Sequence, residues 1–511
     1  MLVPSSGKTL ADSLLRSLSQ PPGDLTFLEE PGVATLTRSA FVELVLKQRE
    51  RLIQTPIRPG TRLFVQAGRG ILYWVDLVAV WSVGAVPMPL DPLLSDIQQK
   101  ILQEKTGTRW LLGGEINATH DGWHGIPALE DHLDNKKTFA DLPETEEAEG
   151  AILFTSGTTG APKCVRLSQR ALLGNARSTV ALLPLHSGDR LFMAIPFHFT
   201  SALCHFLAAG LTKATLVCSE RRLFQADLAQ MVMTSQPTCF GGSPLQVRWL
   251  AQTAKECAVP LNWILSSGDH LSKEVLALCH THLPKTKIFV FYGLTEVGGR
   301  FCCQKIEQNH PLKEGVGFPI KQMRVTIRDE QGLLLPAETV GEVYAEGDFL
   351  FTEYLQDTQE TAKTLTEHGV RTGDSGWLDS QGVLHLQGRL DDVFKSAGKK
   401  VSTRIICDAL LALGEFADVA VLPVEDALLG MVPWAFIVPN DPSIYSKGRI
   451  LQQLRRSLPS NHIPKALHMV AALPRTGSGK LDRRRMAEMV QDFSTKNDEA
   501  ENLPKVLIVS S

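Results

Sequence analysis

The chain of 511 residues is too long for one hydrophobic core, so two or three domains are expected. Its 43% hydrophobic and 21% charged residues suit a globular protein in water, and a net charge of −3 supplies no general field for nucleic acid or an anionic membrane. Phosphate binding must therefore rest on local devices.

The N-terminal run MLVPSSGKTLADSLL has no basic segment followed by an apolar one, which argues against a secretory signal. The nine cysteines are odd in number, scattered and without a CxxC pair, against both a disulfide framework and a thiolate zinc site. A reducing, cytoplasmic location is expected. The apolar stretch from Gly70 to Leu90 approaches the length of a membrane span, but Asp76 sits inside it and Gly84, Pro87 and Pro89 interrupt its second half. It reads as a buried helix from about Ile71 followed by a buried strand near Val86, and no membrane span is expected. Trp74, Trp81, Trp249 and Trp263 read as core.

Short β-branched runs such as RLFVQA, AILFTS, TLVCS, WILSSG and KIFVFYG alternate with amphipathic stretches, the pattern of βαβ units and parallel sheets. Between Gly317 and Gly388 the pattern changes to short strands with frequent turns, which reads as an antiparallel or barrel-like section. A polar run, LDDVFKSAGKK, follows Arg389 and leads into a smaller α/β unit reaching about Val490, with a tail beyond.

The strongest local chemistry is Ile152–Lys163, ILFTSGTTGAPK, between a strand-like and a helix-like run. Gly157 and Gly160 let the backbone approach an anion, Thr155, Ser156, Thr158 and Thr159 supply hydroxyl donors, and Lys163 supplies charge. By composition this is a polyphosphate cradle. It is not a Walker A loop, because Lys163 follows Pro162 and precedes Cys164.

This stretch resembles the phosphate loop of the adenylate-forming superfamily, which includes acyl-CoA synthetases, peptide-synthetase adenylation domains and luciferases. Four further motifs resemble that family's in the same order: FYGLTE at Phe291–Glu296, RTGD at Arg371–Asp374, GRLDDVFKSAG at Gly388–Gly398, and LPRTGSGKLDRR at Leu473–Arg484. The resemblance implies an α/β fold: a large N-terminal AMP-binding domain over residues 1–389, a small mobile α+β lid over 390–490, and a tail over 491–511. It implies ATP, Mg²⁺ and CoA, or a carrier-protein phosphopantetheine in place of CoA. ATP and AMP contacts carry over to the hydroxyls and glycines of the phosphate loop, Lys163, Gly268, Tyr292, Gly293, Asp374 and Arg389. Catalysis carries over to Lys480, Thr295 and Glu296, with Glu296 also the Mg²⁺ ligand. Asp391 is the implied hinge, and Lys395 and Gly398 lie on the face that serves thiol transfer.

The chemistry agrees with these roles. An anionic carboxylate must reach the α-phosphorus of a tetra-anion, so cations must screen its approach. Lys480 is suited to bridge the two as a point charge, and Glu296 to hold an ion that takes few protein carboxylates. Asp374 is suited to accept the ribose hydroxyls. Gly268 lets the backbone pass the adenine, on which Tyr292 stacks.

Four positions depart from the family pattern: Cys164 for glycine, Gln169 for histidine, Glu353 for glycine, and Ile405-Ile406-Cys407 for an acid-hydrophobic-acid triplet. Pro196-Phe197-His198 resembles the proline-x-x-histidine motif of acyl- and aryl-CoA synthetases, one residue shorter, and places His198 at the acyl pocket. No aspartate lies between Phe192 and Leu216 to meet a substrate ammonium, so a fatty or aromatic acid is expected, with Phe197, Phe199, Leu203 and Phe206 available to receive it. Two alternatives remain open at this point: an adenylation enzyme loading a carrier protein, and a nucleotide-binding regulatory protein that has lost turnover.

Overall fold

In the computed structural model the described residues are 9–113, 124–126, 148–155, 162–219, 223–306, 315–396, 399–426, 429–475 and 481–497. Their contacts divide the chain into two compact units, one of Met1–Thr326 with Tyr344–Thr372 and the other of Ile327–Val343 with Gly373–Ser511.

The first unit is organised by the alternating apolar runs. Nine strands form one sheet in the order Phe318–Pro319, Cys302–Ile306, Lys287–Tyr292, Trp263–Ser267, Cys239–Gly242, Arg190–Met193, Thr215–Cys218, Thr26–Glu30 and Ala34–Thr37. The six from Lys287–Tyr292 to Thr26–Glu30 are parallel, as runs buried on both faces require. Phe192, Phe240, Ile264 and Ile288 share one core with Leu228, Val247, Leu250 and Leu276 from helices Gln225–Ser235, Pro244–Glu256 and Lys273–His282. Alternate strand residues point the other way, toward helix Thr200–Thr212. There a Cβ on Gly241 would lie 2.0 Å from His205 Nε2, so glycine is what lets helix and strand meet.

The apolar 70–90 segment forms helix Leu72–Ser82 and strand Val86–Leu90, as its interruptions predict. Asp76 is buried within that helix, paired with Arg69 and accepting from Gln48 Nε2 at 2.9 Å. Burial raises its carboxyl to about 6 against those partners. Trp74, Trp81 and Trp263 are fully buried, and Trp249 packs partly against the core. No helix among the described residues is long and apolar enough to cross a membrane. Strand Val86–Leu90 belongs to a parallel four-stranded sheet with Arg62–Gln66, Trp110–Leu112 and His124–Ile126.

One local expectation is corrected. The phosphate motif is followed by a strand, Lys163–Ser168, not directly by a helix. Cys164, Val165 and Leu167 are buried and register against Phe154, Leu153 and Ala151 of Glu149–Thr155, so cross-strand packing holds this stretch extended. The helical pattern begins only at Gln169, where Ser168 Oγ accepts from Ala171 N at 3.0 Å as its cap.

In the second unit, Lys399–Ser402, Val393–Ser396, Gly430–Pro439 and Phe416–Asp426 form a sheet, with Ala466–Met469 added to Gly430–Pro439. Helices Thr403–Leu411 and Lys447–Ser457 close its core through Ile406, Leu410, Ile450 and Leu454.

Candidate active site

The six parallel strands end on one edge of the large sheet, and the connections from them set up a crevice. From Arg190–Met193 the chain passes through helix Thr200–Thr212 to Thr215–Cys218 on one side, while Cys239–Gly242 lies on the other. Such a reversal of strand order is where open α/β sheets bind ligands, outside the carboxyl ends of the strands. His198, Gly268, Tyr292, Gly293, Thr295 and Glu296 all follow or end strands at this edge.

Ser267 registers with Phe291, which sets Gly268 beside Tyr292. Gly268 has φ +94° and open space where a Cβ would be, the condition for a flat group to approach its backbone. Gly293 is the opposite case, because a Cβ there would lie 2.2 Å from the Gly299 carbonyl oxygen. Gly293→Ala is therefore expected to cost about 1–3 kcal/mol of stability by forcing the turn apart. It should also weaken ATP binding, as read by urea midpoint and by ATP titration. An unchanged midpoint would show that the turn relaxes freely.

Thr295 and Glu296 sit on the short 3₁₀ turn Thr295–Val297. Thr295 Oγ1 lies 2.8 Å from Thr200 Oγ1, which ties the turn to helix Thr200–Thr212. Tyr354 Oη donates to Glu296 Oε1 at 2.7 Å, and Phe351 N donates to the Glu296 carbonyl at 2.8 Å. Burial first, then the charge of Glu296, pushes the Tyr354 phenol well up, so it stays the donor. Lys163 Nζ stands 4.7 Å from the centre of the Tyr354 ring and 2.6 Å from Glu360 Oε1. Thus Lys163, Tyr354, Glu296 and Glu360 form one contiguous group. Thr155 registers with Lys163, so the described ends of the phosphate motif are held together; Ser156, Gly157, Thr158, Thr159 and Gly160 lie outside the described residues.

Mg²⁺ is tested against the same group. No cluster of three or more His, Cys, Asp or Glu suited to a metal occurs among the described residues. A single, partly exposed carboxylate at Glu296 fits an ion that takes its other ligands from phosphate oxygens and water.

Three of the departures from the family pattern have local partners. Cys164 is buried against Phe64 and Met88. Gln169 Oε1 accepts from Leu10 N at 2.9 Å, and Glu353 pairs with Arg166 at 3.0 Å.

His198 is largely buried, with Nε2 3.5 Å from Asp91 Oδ2 and its ring 4.2 Å from that of Phe199. Burial lowers its pKa, and Asp91 works against that. Asp91 lies in the stretch GAVPMPLDP, to which sequence reading gave no role at the site. Three of the four apolar side chains expected to receive the acid are placed differently. Phe197 and Phe206 pack on Trp74 at 5.1 and 4.4 Å, and Leu203 is buried, so these side chains belong to the core. Helix Thr200–Thr212 instead offers the site Thr200 and Ser201, and Ser201 Oγ lies 3.2 Å from Ser267 Oγ. The signal was in the chain: Ser201 and His205 stand one helical turn apart amid apolar neighbours.

In the second unit, Asp374 registers with Arg389 across two antiparallel strands, with Arg389 Nε 3.5 Å from Asp374 Oδ1. Asp391 lies in the 3₁₀ turn Leu390–Asp392, and Lys395 is exposed on strand Val393–Ser396. Ile405-Ile406-Cys407 falls on helix Thr403–Leu411, with Ile406 in the core. Gly398 and Lys480 lie outside the described residues; Arg475 and Leu481, which bracket the lysine loop, form an antiparallel bridge. Arg475 makes a bidentate pair with Asp418 at 2.6 and 3.0 Å, which anchors one end of that loop.

The family model for AMP-binding enzyme matches residues 15–355, and that for the AMP-binding enzyme C-terminal domain matches 408–480. The chain is 27% identical to 4-coumarate–CoA ligase 5 of Oryza sativa over 349 residues, 65% of this chain and 64% of that protein. It is 29% identical to 2-succinylbenzoate–CoA ligase of Enterococcus faecalis over 67% of this chain and 70% of that one. The fold superposes on ATP-bound MatB from Rhodopseudomonas palustris with a TM-score of 0.86, covering 94% of this chain and 99% of that one at 20% identity. With one family model spanning most of the chain and a second covering its C-terminal part, the chain belongs to the AMP-binding enzyme family.

Proposed function

We propose that the protein is an acid–thiol ligase that activates a carboxylic acid with ATP and passes the acyl group to CoA. The observation that carries this is the contiguity of Lys163, Tyr354 and Glu296 with Thr295 at the edge where Gly268 and Tyr292 leave a place for a base. A carboxylate oxygen attacks the α-phosphorus, the α–β anhydride breaks, and pyrophosphate leaves. The thiolate of CoA then attacks the acyl carbon and AMP leaves, the thiol proton passing to solvent.

In this reading Lys163 and the phosphate loop hold the polyphosphate, Thr295 donates to the α-phosphate, and Glu296 holds Mg²⁺, which supplies charge neutralisation on the phosphates. Lys163 exchanges its pairing with Glu360 for the phosphates when ATP binds. Asp374 accepts the ribose hydroxyls and Arg389 adds charge there. Lys480, on a lid over 390–490 that hinges at Asp391, bridges the two reacting anions, and Lys395 and Gly398 face the site during thiol transfer. A carrier-protein phosphopantetheine presents the same thiol arm as CoA, and a transfer assay with each acceptor separates them.

The acid is aromatic in this reading, the class named for the coumarate and succinylbenzoate relatives. ATP–pyrophosphate exchange tests both class and chemistry with pairs of matched shape. Phenylpropanoate should exceed phenylalanine, and hexanoate should exceed norleucine, by roughly a thousandfold, because an ammonium desolvated without a partner is costly. Consistent preference for the amino acids would make Asp91, beside His198, the counter-ion and shift the reading toward carrier loading.

A further inference from the structure

Arg300 carries a positive charge that no carboxylate among the described residues meets. Four residues after Glu296, it is 2% exposed and among the largest fully buried side chains. Its Nη2 lies 3.2 Å from Ser201 Oγ and 3.4 Å from His205 Nδ1, and its Nε has no hydrogen-bond partner among the described residues. The His205 contact offers nothing. Nδ1 lies 2.6 Å from the Ser201 carbonyl, which only accepts, so Nδ1 carries the proton and donates. Burial and Arg300 itself hold that ring neutral, with a pKa lowered to about 3. The other titratable groups acting on Arg300 among the described residues are the thiols of Cys204, which is hydrogen-bonded to it, and Cys303; burial pushes both up, the latter to about 12, so both stay protonated and neutral. The Phe291 ring, 5.2 Å away, offers a cation–π contact but no opposite charge.

A guanidinium stays charged wherever it is placed, and burying it unpaired costs several kcal/mol. Such a group is stable in a binding site if an anion arrives with the ligand. Its position selects which anion. Ser201 joins Arg300 to Ser267, next to Gly268, while the neighbouring Thr200 is bonded to Thr295. Arg300 therefore packs under helix Thr200–Thr212 through Ser201 and His205, beside the edge at which the proposed reading puts the acid. The reacting carboxylate has to lie against the α-phosphorus, and holding it on a buried guanidinium would bind the ground state at the expense of attack.

We infer that the acid activated by this protein is a dicarboxylic acid, whose second carboxylate pairs with Arg300, with Ser201 as co-donor. The inference rests on the acid-activating reading of the site and narrows its substrate. Arg300 is then the specificity-determining residue, offering two parallel N–H donors to a carboxylate.

Exchange assays on the full-length protein decide it, with each diacid compared with its monoacid of the same frame: 4-carboxyphenylpropanoate with phenylpropanoate, and adipate with hexanoate. In the wild type the diacid should lead by about a hundredfold or more in kcat/KM, because a site built around a polar partner rejects the analogue that lacks it. In Arg300→Met the lead should fall to within about threefold, while ATP affinity stays unchanged. A diacid alone should raise the Tm of the wild type and not that of Arg300→Met. Monoacids that exchange as well as or better than diacids in the wild type overturn the inference and leave the ligase reading standing. If ATP binds but no acid of either kind supports exchange, both fall. Should Arg300→Met fail to fold, the wild-type comparison and its thermal shift decide alone.

Discussion

Lys480→Ala is expected to abolish adenylate formation, by at least a thousandfold in pyrophosphate exchange, while ATP affinity stays within about tenfold. The asymmetry follows from when the charge is needed. In the proposed reading ATP already meets Lys163, Thr295 and Glu296 in the first unit, so one more cation adds little to ground-state binding. The approach of a second anion to the α-phosphorus occurs only on the way to the transition state, and there a lysine bridging both oxygens is worth most. Thioester formation from a supplied acyl-adenylate should largely survive, since no anion then has to be brought to phosphorus. Near-normal exchange in the variant would remove Lys480 from the chemistry. Loss of ATP binding along with exchange would make it a nucleotide anchor instead.

Asp391→Pro should separate the two half-reactions. Asp391 lies in the 3₁₀ turn Leu390–Asp392, whose backbone is close to the φ that proline imposes, so the variant is expected to fold with circular dichroism like the wild type. Proline then denies residue 391 other values of φ, and the residue before it is driven toward extended conformations. If lid rotation at this position is what exposes the site to the thiol, adenylation persists within about tenfold while thioester formation falls by a hundredfold or more. Equal loss of both steps in a folded variant would place the hinge elsewhere.

How far the chain disclosed its site depends on how local each feature is. The edge glycines and the Thr295–Glu296 turn were legible because strand ends and turns are written in consecutive residues. The strand Lys163–Ser168 was misread because six residues with only Cys164, Val165 and Leu167 apolar are too few to fix a period, and only pairing with Glu149–Thr155 makes them extended. Phe197 and Phe206 looked like an acyl pocket for a similar reason. Their apolar character was plain, but which face of helix Thr200–Thr212 meets Trp74 was not.

By itself, then, the sequence determined the family, the alternation of strands and helices, and the residue types that phosphate transfer needs, all of which are encoded at short range. The tertiary structure alone decided the partners: Glu360 for Lys163 across 197 residues, Tyr354 for Glu296 across 58, and Asp91 for His198. It also decided that Arg300, one arginine among many, is buried with no carboxylate beside it among the described residues. Pairing and desolvation are properties of closed packing between distant segments, and no window of consecutive residues contains them.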